Sequence, residues 1–568
     1  MLAGAGGIQI LLLIVAADDG VMPQTREHLH ICNLLGIQQG IVVITRCDLA
    51  DATLVEMVRE ELTELCETTF LAKAPIVEVS ALRGDGIENL KKEIANVAEQ
   101  IKTNDGDNFF RMPIDRVFSL KGFGTVVTGT VLSGRIEKKD PLLIYPEKEP
   151  ARIRGIQVHG NNVQSLESAQ RGAINLTGID KESLSRGNQI ATPDSLVNTP
   201  SIFVELSIIP GKEESLKHRT ALKFFCHTQE IQANFYEISS NHSGDTKGSF
   251  AKIRLQETLS CRYGDHFILR TISPNETVAG GKIIAPYGKS IRRNRSRIVE
   301  SLIGLSKEED ELRISETVFL QGISGIQPQD LPPLTGSSQK TISKVLQKLS
   351  GQGVIVQINS DQKRFLHEIH CSRVAQFFIK TLKTFHQKNP ELPGALGSDF
   401  FGKMSRLFQQ SEIIFLLTWA NKRGLIEKQE QFFHLPGFEG GLTPQKKQLM
   451  DQIVLHLKKS GNQAPGIVNL SEQLDIPLDL VKSLIKQAVS EKKLVRVKDD
   501  LYFDIDVIEK FQKTLLEHFK TNEQLTVIEF KDMNHIARKP AVALLEYFDS
   551  QHLTRREENH RILHRSDP

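Results

Sequence analysis

Gly40-Ile41-Val42-Val43-Ile44-Thr45-Arg46-Cys47-Asp48 is an apolar, β-branched run that breaks into a short polar loop. Downstream, Pro75-Ile76-Val77-Glu78-Val79 runs in the same way into Ser80-Ala81-Leu82. Both runs have the length and composition of buried parallel strands. Outward from them, periodicity predicts strand 9–17, helix 24–35, strand 40–45, helix 53–66, strand 75–79 and helix 86–101. Strictly alternating strands and helices predict a parallel sheet with helices on its faces.

The two loops carry a specific chemistry. A strand that ends in [N/T]-K-x-D places a carboxylate where it can accept hydrogen bonds from N1 and N2 of guanine. A second loop, S-A-[K/L], offers a backbone N–H to O6. Thr45, Arg46 and Asp48 fill the first pattern, with arginine in the lysine position, and Ser80, Ala81 and Leu82 fill the second. The aliphatic stem of Arg46 can still lie against a base. An ordinary strand-to-helix loop gives the same four letters, and the strand context with the Ser80 loop favours the guanine reading. Binding phosphates would further need G-x-x-x-x-G-K-[S/T] and a D-x-x-G for the γ-phosphate and Mg²⁺. Neither precedes residue 45, and the D-x-x-G matches at Asp245–Gly248 and Asp399–Gly402 lie far downstream. The expectation is the guanine-reading, C-terminal part of a GTP-binding domain, with an exposed apolar edge on its sheet.

Composition limits the alternatives. A chain of 568 residues with 39% apolar content holds several domains. A formal net charge of +2 gives no global attraction to nucleic acid, so any such site is a local patch. The six cysteines (32, 47, 66, 226, 261, 371) form no C-x-x-C, which points to a reducing compartment without a disulfide frame or a zinc knuckle. Ile8–Ala17 lacks a basic flank and ends in Asp18-Asp19-Gly20, so it reads as a strand and not as a signal peptide. A cytoplasmic protein is expected, with no metal site.

From Phe109 to about Pro286, short alternating runs are divided by Gly, Asn, Asp and Pro, the pattern of two small β-barrels with a boundary near Asn198-Thr199-Pro200. Beyond Ile291 the chain turns helical and repeats. Helix, short strand, polar turn and short strand recur at Val345–Leu366, Phe415–Leu435, Leu484–Phe503 and Leu544–Leu563. That pattern suggests four winged-helix modules.

Asp18-Asp19-Gly20-Val21-Met22-Pro23-Gln24-Thr25-Arg26-Glu27-His28 resembles the stretch that follows the third GTPase motif in elongation factor Tu and its relatives. Phe123-Gly124-Thr125-Val126-Val127-Thr128-Gly129-Thr130-Val131 resembles the opening of their first barrel, and Gln170-Arg171-Gly172-Ala173-Ile174-Asn175-Leu176 with Arg186-Gly187 its close. Two barrels followed by four winged helices are similar to the bacterial selenocysteine-specific elongation factors, the SelB family. Arg538-Lys539-Pro540-Ala541-Val542-Ala543-Leu544-Leu545-Glu546-Tyr547-Phe548-Asp549 looks like that family's last module. Met1 falls where the family has an internal Met-Leu-Ala-Gly-Ala stretch, so the chain reads as N-terminally truncated.

The resemblance implies a multidomain fold in this order: 1–105, part of a GTP-binding domain; 107–197 and 198–288, β-barrels of the elongation factor Tu type; 291–370, 371–440, 441–508 and 509–568, winged helices. It implies a translation factor that delivers selenocysteyl-tRNA to the ribosome at UGA codons with GTP, anchored to a message hairpin (SECIS) by its last modules. The family hydrolyses GTP with Mg²⁺. This chain is expected to hold no catalytic residue and to bind GTP weakly or not at all.

Asp115, Arg116 and Arg171 match the positions that hold the aminoacyl end of the tRNA, where two guanidinium groups would favour a selenolate over a serine hydroxyl. The same residues would also serve as a barrel-surface ion pair. In the last module Arg538 and Lys539 open the recognition helix, and Arg555, Arg556, Arg561 and Arg565 lie on or beside the wing. These would grip phosphates, with Asn534 and His535 near enough to read exposed bases. A solvated charged face is the plainer reading. The first two modules show no concentrated basic or aromatic face and read as a spacer. The protein is expected to be monomeric and to meet no membrane. The alternative is an RNA- or DNA-binding winged-helix adaptor without nucleotide chemistry. In-frame G-H-x-D-H-G-K and D-x-P-G-H upstream of Met1 would favour the GTPase, and a stop codon there the adaptor.

Overall fold

The computed structural model describes residues 7–101, 109–120, 124–239, 249–288, 295–390, 392–438, 444–498 and 500–564. Phe123, Asp245–Gly248 and Arg565 therefore lie outside the described residues. The chain divides into two compact units, Met1–Ser372 and Arg373–Pro568.

The first unit opens with β1 (Ile10–Ala16), α1 (Pro23–Leu34), β2 (Gln39–Thr45), α2 (Ala52–Cys66), β3 (Ile76–Glu78) and α3 (Ile87–Glu99). The three strands are parallel in the order β1-β2-β3. Ile41 and Val43 of β2 pack with Val77, Val79 and Val97 under α3. Val42 and Ile44 pack with Leu13 and Val15 beneath Val55, Val58 and Leu62 of α2. Burial on both faces explains why β2 is apolar throughout and does not alternate. Each fully buried Val, Leu or Ile contributes roughly 1.5–3 kcal/mol. β1 is an edge strand, and Leu12 (38%) and Ile14 (59%) on its outer stretch are exposed.

Two β domains follow. In the first, the sheet order is Arg111–Pro113, Gln189–Ala191, Leu142–Tyr145, Glu149–Val158, Arg171–Thr177, Gly124–Thr130, Arg116–Leu120. Its inward residues include Met112, Val127, Ile144, Ile156 and Ile174. The second is a closed barrel in the order Val197–Ile208, Ser249–Cys261, Gln229–Ser239, Ala221–Cys226, His266–Thr271, Thr277–Ala285. Its first strand begins at Val197, so Asn198, Thr199 and Pro200 belong to that strand. The turn between the domains falls earlier, where the Ser195 N–H and hydroxyl bond to the Thr192 carbonyl.

Four helix-turn-helix and hairpin modules complete the chain. In the first, helices Asp310–Gln321 and Gln339–Gly351 precede the hairpin Ile355–Asn359/Arg364–His367. It is fastened to the second barrel: the Tyr263 hydroxyl donates to the Leu305 carbonyl at 2.8 Å and its N–H to the Pro333 carbonyl at 2.8 Å. In the second unit the helices that lead into the wings are Gln410–Lys422, Leu478–Ser490 and Arg538–Ser550. Their wings are Glu427–Gln429/Phe432–His434, Leu494–Lys498/Leu501–Asp504 and Thr554–Glu557/His560–Leu563. The third wing packs Val495, Val497 and Leu501 onto the core of the fourth module. Lys498 pairs with Glu546 of helix Arg538–Ser550 at 2.8 Å. Asp399, in the second downstream D-x-x-G, accepts the Leu396 N–H at 2.8 Å and so caps a turn. No helix among the described residues is long and apolar enough to cross a membrane.

Candidate functional site

The Thr45–Asp48 and Ser80–Leu82 loops meet at the C-terminal ends of β2 and β3, which are neighbours, so Asp48 and Ser80 come together across the sheet. The Ser80 hydroxyl donates to Asp48 Oδ1 at 2.6 Å. Ser80 is itself buried, and its hydroxyl also receives the Arg83 N–H at 3.2 Å. This bond from Ser80 holds the Asp48 carboxyl below the usual carboxylate range, leaving it ionised and able to accept. Ala81 and Leu82 are exposed beside it, Leu82 at 85%. Thr45 turns inward, its hydroxyl 3.4 Å from the Val15 carbonyl. Arg46 has φ of +54°, and its guanidinium pairs with Asp18 at 3.1 Å and Asp19 at 3.5 Å. Its head is thus anchored to the end of β1, a partner the sequence did not indicate.

The barrel cluster lies on three adjacent strands. Arg116 stands opposite Thr128, and Arg171 opposite Thr130. Directly opposed residues share a face, so both arginines project from the outer face. Asp115 accepts the Thr128 hydroxyl at 2.7 Å on one oxygen and pairs with Arg171 on the other. Arg116 is exposed and has no partner among the described residues. Thr128 carries no mark in the sequence; the strand register that sets it opposite Arg116 brings it into the cluster. The three charged groups sum to +1, from two arginines and one aspartate.

A cavity of about 530 Å³ lies between α1 and both β domains, lined by Glu27, His28, Arg186, His227, Glu230 and Arg270. Beneath it, Cys226, His227 and Asp265 are near enough to one another to suggest a metal centre. Arg111 already occupies both Asp265 oxygens, at 2.6 and 2.8 Å, so the cluster is an ion-pair joint. Burial alone would raise the Asp265 carboxyl, and the charge of Arg111 with its two hydrogen bonds outweighs it and holds it well below its ordinary value. Burial pushes the thiols of Cys226 and Cys261 up well above theirs. None of the six cysteines is disulfide-bonded.

In the last module, Arg538 and Lys539 are the first two residues of an exposed helix start whose cap, Ala537, supplies no side-chain bond. Cations there oppose the helix dipole and leave N–H groups open to an anion. Arg555 and Arg556 are exposed on the wing; Arg555 pairs with Glu557, and Arg556 donates to the Glu558 carbonyl at 3.2 Å. His535 is exposed with φ of +52°. Two expectations are corrected. Arg561 is buried, donating to Asp549 at 2.9 Å, because its strand faces helix Arg538–Ser550 there. Asn534 is buried as well: its amide donates to the Phe530 carbonyl at 2.9 Å, and its own carbonyl receives Asn462 at 2.7 Å.

Four stretches of the chain match models of known families. Residues 1–100 match the elongation factor Tu GTP-binding domain, and 124–191 match elongation factor Tu domain 2. Residues 203–290 match the β-barrel domain of selenocysteine-specific elongation factor, and 517–563 the winged helix of elongation factor SelB. The chain is 32% identical over 556 residues to the selenocysteine-specific elongation factor of Desulfomicrobium baculatum, covering 98% of this chain and 88% of that one. It is 25% identical over 568 residues to that of Escherichia coli strain K12, covering 99% and 88%. A crystal structure of a bacterial selenocysteine-specific elongation factor shares the fold with a TM-score of 0.65 at 23% identity, over 99% of this chain and 88% of that one.

Proposed function

The chain belongs to the selenocysteine-specific elongation factor family, and from that premise we propose that it serves selenocysteyl-tRNA delivery at UGA codons. In this reading the first barrel holds the aminoacyl end, the last winged helix holds a message hairpin, and the ribosome receives the tRNA. The protein acts as a cytoplasmic monomer.

The observation that carries the proposal is the Asp115–Arg171 pair with Thr128 on one barrel face, beside Arg116, which has no partner among the described residues. A selenol is more acidic than a thiol, so selenocysteine is largely an anion at neutral pH. A cluster with one excess positive charge favours it over a neutral hydroxyl of similar size. Asp115 fixes Arg171 in place and leaves Arg116 free to meet the anion.

The loop residues fit a guanine base. Asp48, held ionised by Ser80, has the acceptors that N1–H and N2–H require, and the exposed Ala81 backbone suits O6. Bound GTP would supply the phosphoryl chemistry that drives release of the factor. This chain's own residues would read the base and exclude adenine, whose edge offers no matching pair of donors. Arg46, anchored to Asp18, stiffens the loop that carries Asp48.

The test is binding of selenocysteyl-tRNA against seryl-tRNA on the same tRNA body. A clear preference for the selenocysteyl form is expected, and equal affinity sinks the proposal. The adaptor reading has no observation in its favour.

A further inference from the structure

The first winged-helix module has a groove between helix Gln339–Gly351 and its wing, with a volume of about 700 Å³. Six of its lining residues are glutamines: 327, 329, 339, 347, 357 and 362. Ser343 and Ser350 add hydroxyls, and the Ser350 hydroxyl is buried without a hydrogen-bond partner. Asp361 is the one carboxylate in the lining and Lys363 the one cation.

The helix has a clear division of faces. Ile342, Leu346 and Leu349 are buried in the module core. Gln339, Ser343 and Gln347 recur every four residues along the groove side. Lys340, Lys344 and Lys348 recur beside them, all exposed. At roughly 100° per residue, the lysine row lies outside the glutamine row and away from the core. Lys348 is neutralised by Glu311. Lys340 and Lys344 thus flank one side of the groove, and Lys363 on the wing flanks the other.

We propose that this groove binds double-stranded RNA along its shallow minor groove. Glutamine and serine each carry a donor and an acceptor, as the 2′-hydroxyl does, so an uncharged row of them suits a surface of 2′-hydroxyls and base edges. The flanking lysines stand where phosphates on either side of that groove would pass. Single-stranded RNA would want exposed aromatic rings for stacking, and the lining's aromatic residue, Phe365, is buried in the module core. A peptide ligand would leave the lysines on both rims without counter-charges. The first module is therefore an RNA-binding element in its own right, apart from the last module.

The experiment uses the full chain and a labelled, blunt RNA duplex of about 18 base pairs, with a DNA duplex of the same sequence for comparison. Each variant is made in the wild-type background and together with Arg555→Gln and Arg556→Gln. Wild type should prefer the RNA duplex. The triple change Lys340→Gln, Lys344→Gln, Lys363→Gln should weaken binding about tenfold and flatten the log K against log salt slope by about two. Gln339→Ala with Gln347→Ala should bring RNA and DNA affinities together and leave the slope unchanged. Melting temperatures should not move, since every substituted side chain is exposed. Duplex binding that is absent, indifferent to both sets, equal for RNA and DNA in the wild type, or lost only with a fall in melting temperature overturns the assignment. Indifference to both sets would leave the groove to a protein partner.

Discussion

Arg111 and Asp265, 154 residues apart in the chain, form a two-point ion pair at 2.6 and 2.8 Å that bolts the first β domain to the second. Both are almost wholly buried, with side-chain exposures of 1% and 6%. Gln189 extends the joint, accepting from Arg111 Nε at 2.8 Å and donating to the Ser260 carbonyl at 2.6 Å. Burial alone would lower the Arg111 pKa, and the neighbouring carboxylate more than reverses this. Asp265→Asn removes the counter-charge and leaves a guanidinium buried. It should cost about 3–5 kcal/mol, whereas replacing both partners with apolar residues of similar volume should restore most of the loss. Denaturant unfolding followed by circular dichroism checks both outcomes.

The same joint gives a pH dependence. Burial, reinforced by the Arg111 charge, holds His227 below its ordinary pKa against the opposing pull of Asp265. Burial also lowers His266, whose Nδ1 lies 3.2 Å from the Leu34 carbonyl. The unfolded chain binds protons that the folded chain refuses, so stability is full above about pH 6.5 and falls as pH drops through and below it. The fall approaches about 1.4 kcal/mol per pH unit for each histidine while the two states differ by a full proton. Thermal melting between pH 5 and 8 should show this, and His266→Gln should flatten the curve. A flat wild-type curve would show that these histidines are not held neutral.

The guanine loop should read bases but not hold a nucleotide tightly. Phosphate contacts supply much of a nucleotide's charged binding, and residues 1–44 hold neither G-x-x-x-x-G-K-[S/T] nor D-x-x-G. A fluorescent-GTP titration should therefore give weak binding, and a single-turnover assay no Mg²⁺-dependent hydrolysis. Micromolar affinity with turnover would refute this. Whatever guanine preference is measured should vanish in Asp48→Ala.

Arg171→Ala should weaken binding of selenocysteyl-tRNA far more than that of seryl-tRNA. A charge-assisted hydrogen bond contributes roughly 1.5–3 kcal/mol, so the preference should shrink by about one to two orders of magnitude. Equal losses for both tRNAs would make the cluster a grip on the acceptor stem or a barrel-surface ion pair.

The wing arginines of the last module should separate by role. Arg555→Gln with Arg556→Gln should weaken binding to a UGA-flanking message hairpin and flatten its salt dependence by roughly 0.7–0.9 for each phosphate no longer neutralised. Melting should be unchanged, as both are exposed. Arg561→Gln should instead lower stability by about 1–3 kcal/mol, because Asp549 loses a buried partner. Anisotropy titrations and melts on the same proteins test the division. Undiminished hairpin binding by the Arg555/Arg556 variant would place the RNA site elsewhere.

The sequence by itself determined the kinds of element and their order. The unbroken apolar run of β2, the period-two runs of the barrels and the recurring helix-and-hairpin units each state which side chains are buried along one element, and burial is periodic. The meeting of Asp48 and Ser80 was legible for the same reason: successive parallel strands lie side by side, and their ends share one edge. Only the tertiary structure decided which polar groups were left to act. Arg561 and Asn534 look like surface residues in sequence, yet Asp549 and Phe530 draw them inward. Arg46 turns to Asp18, and Arg111 finds Asp265 across a domain joint. A charged side chain carries no periodic mark of its partner. That choice is made where distant segments pack, and there desolvation makes an unpaired charge too costly to leave.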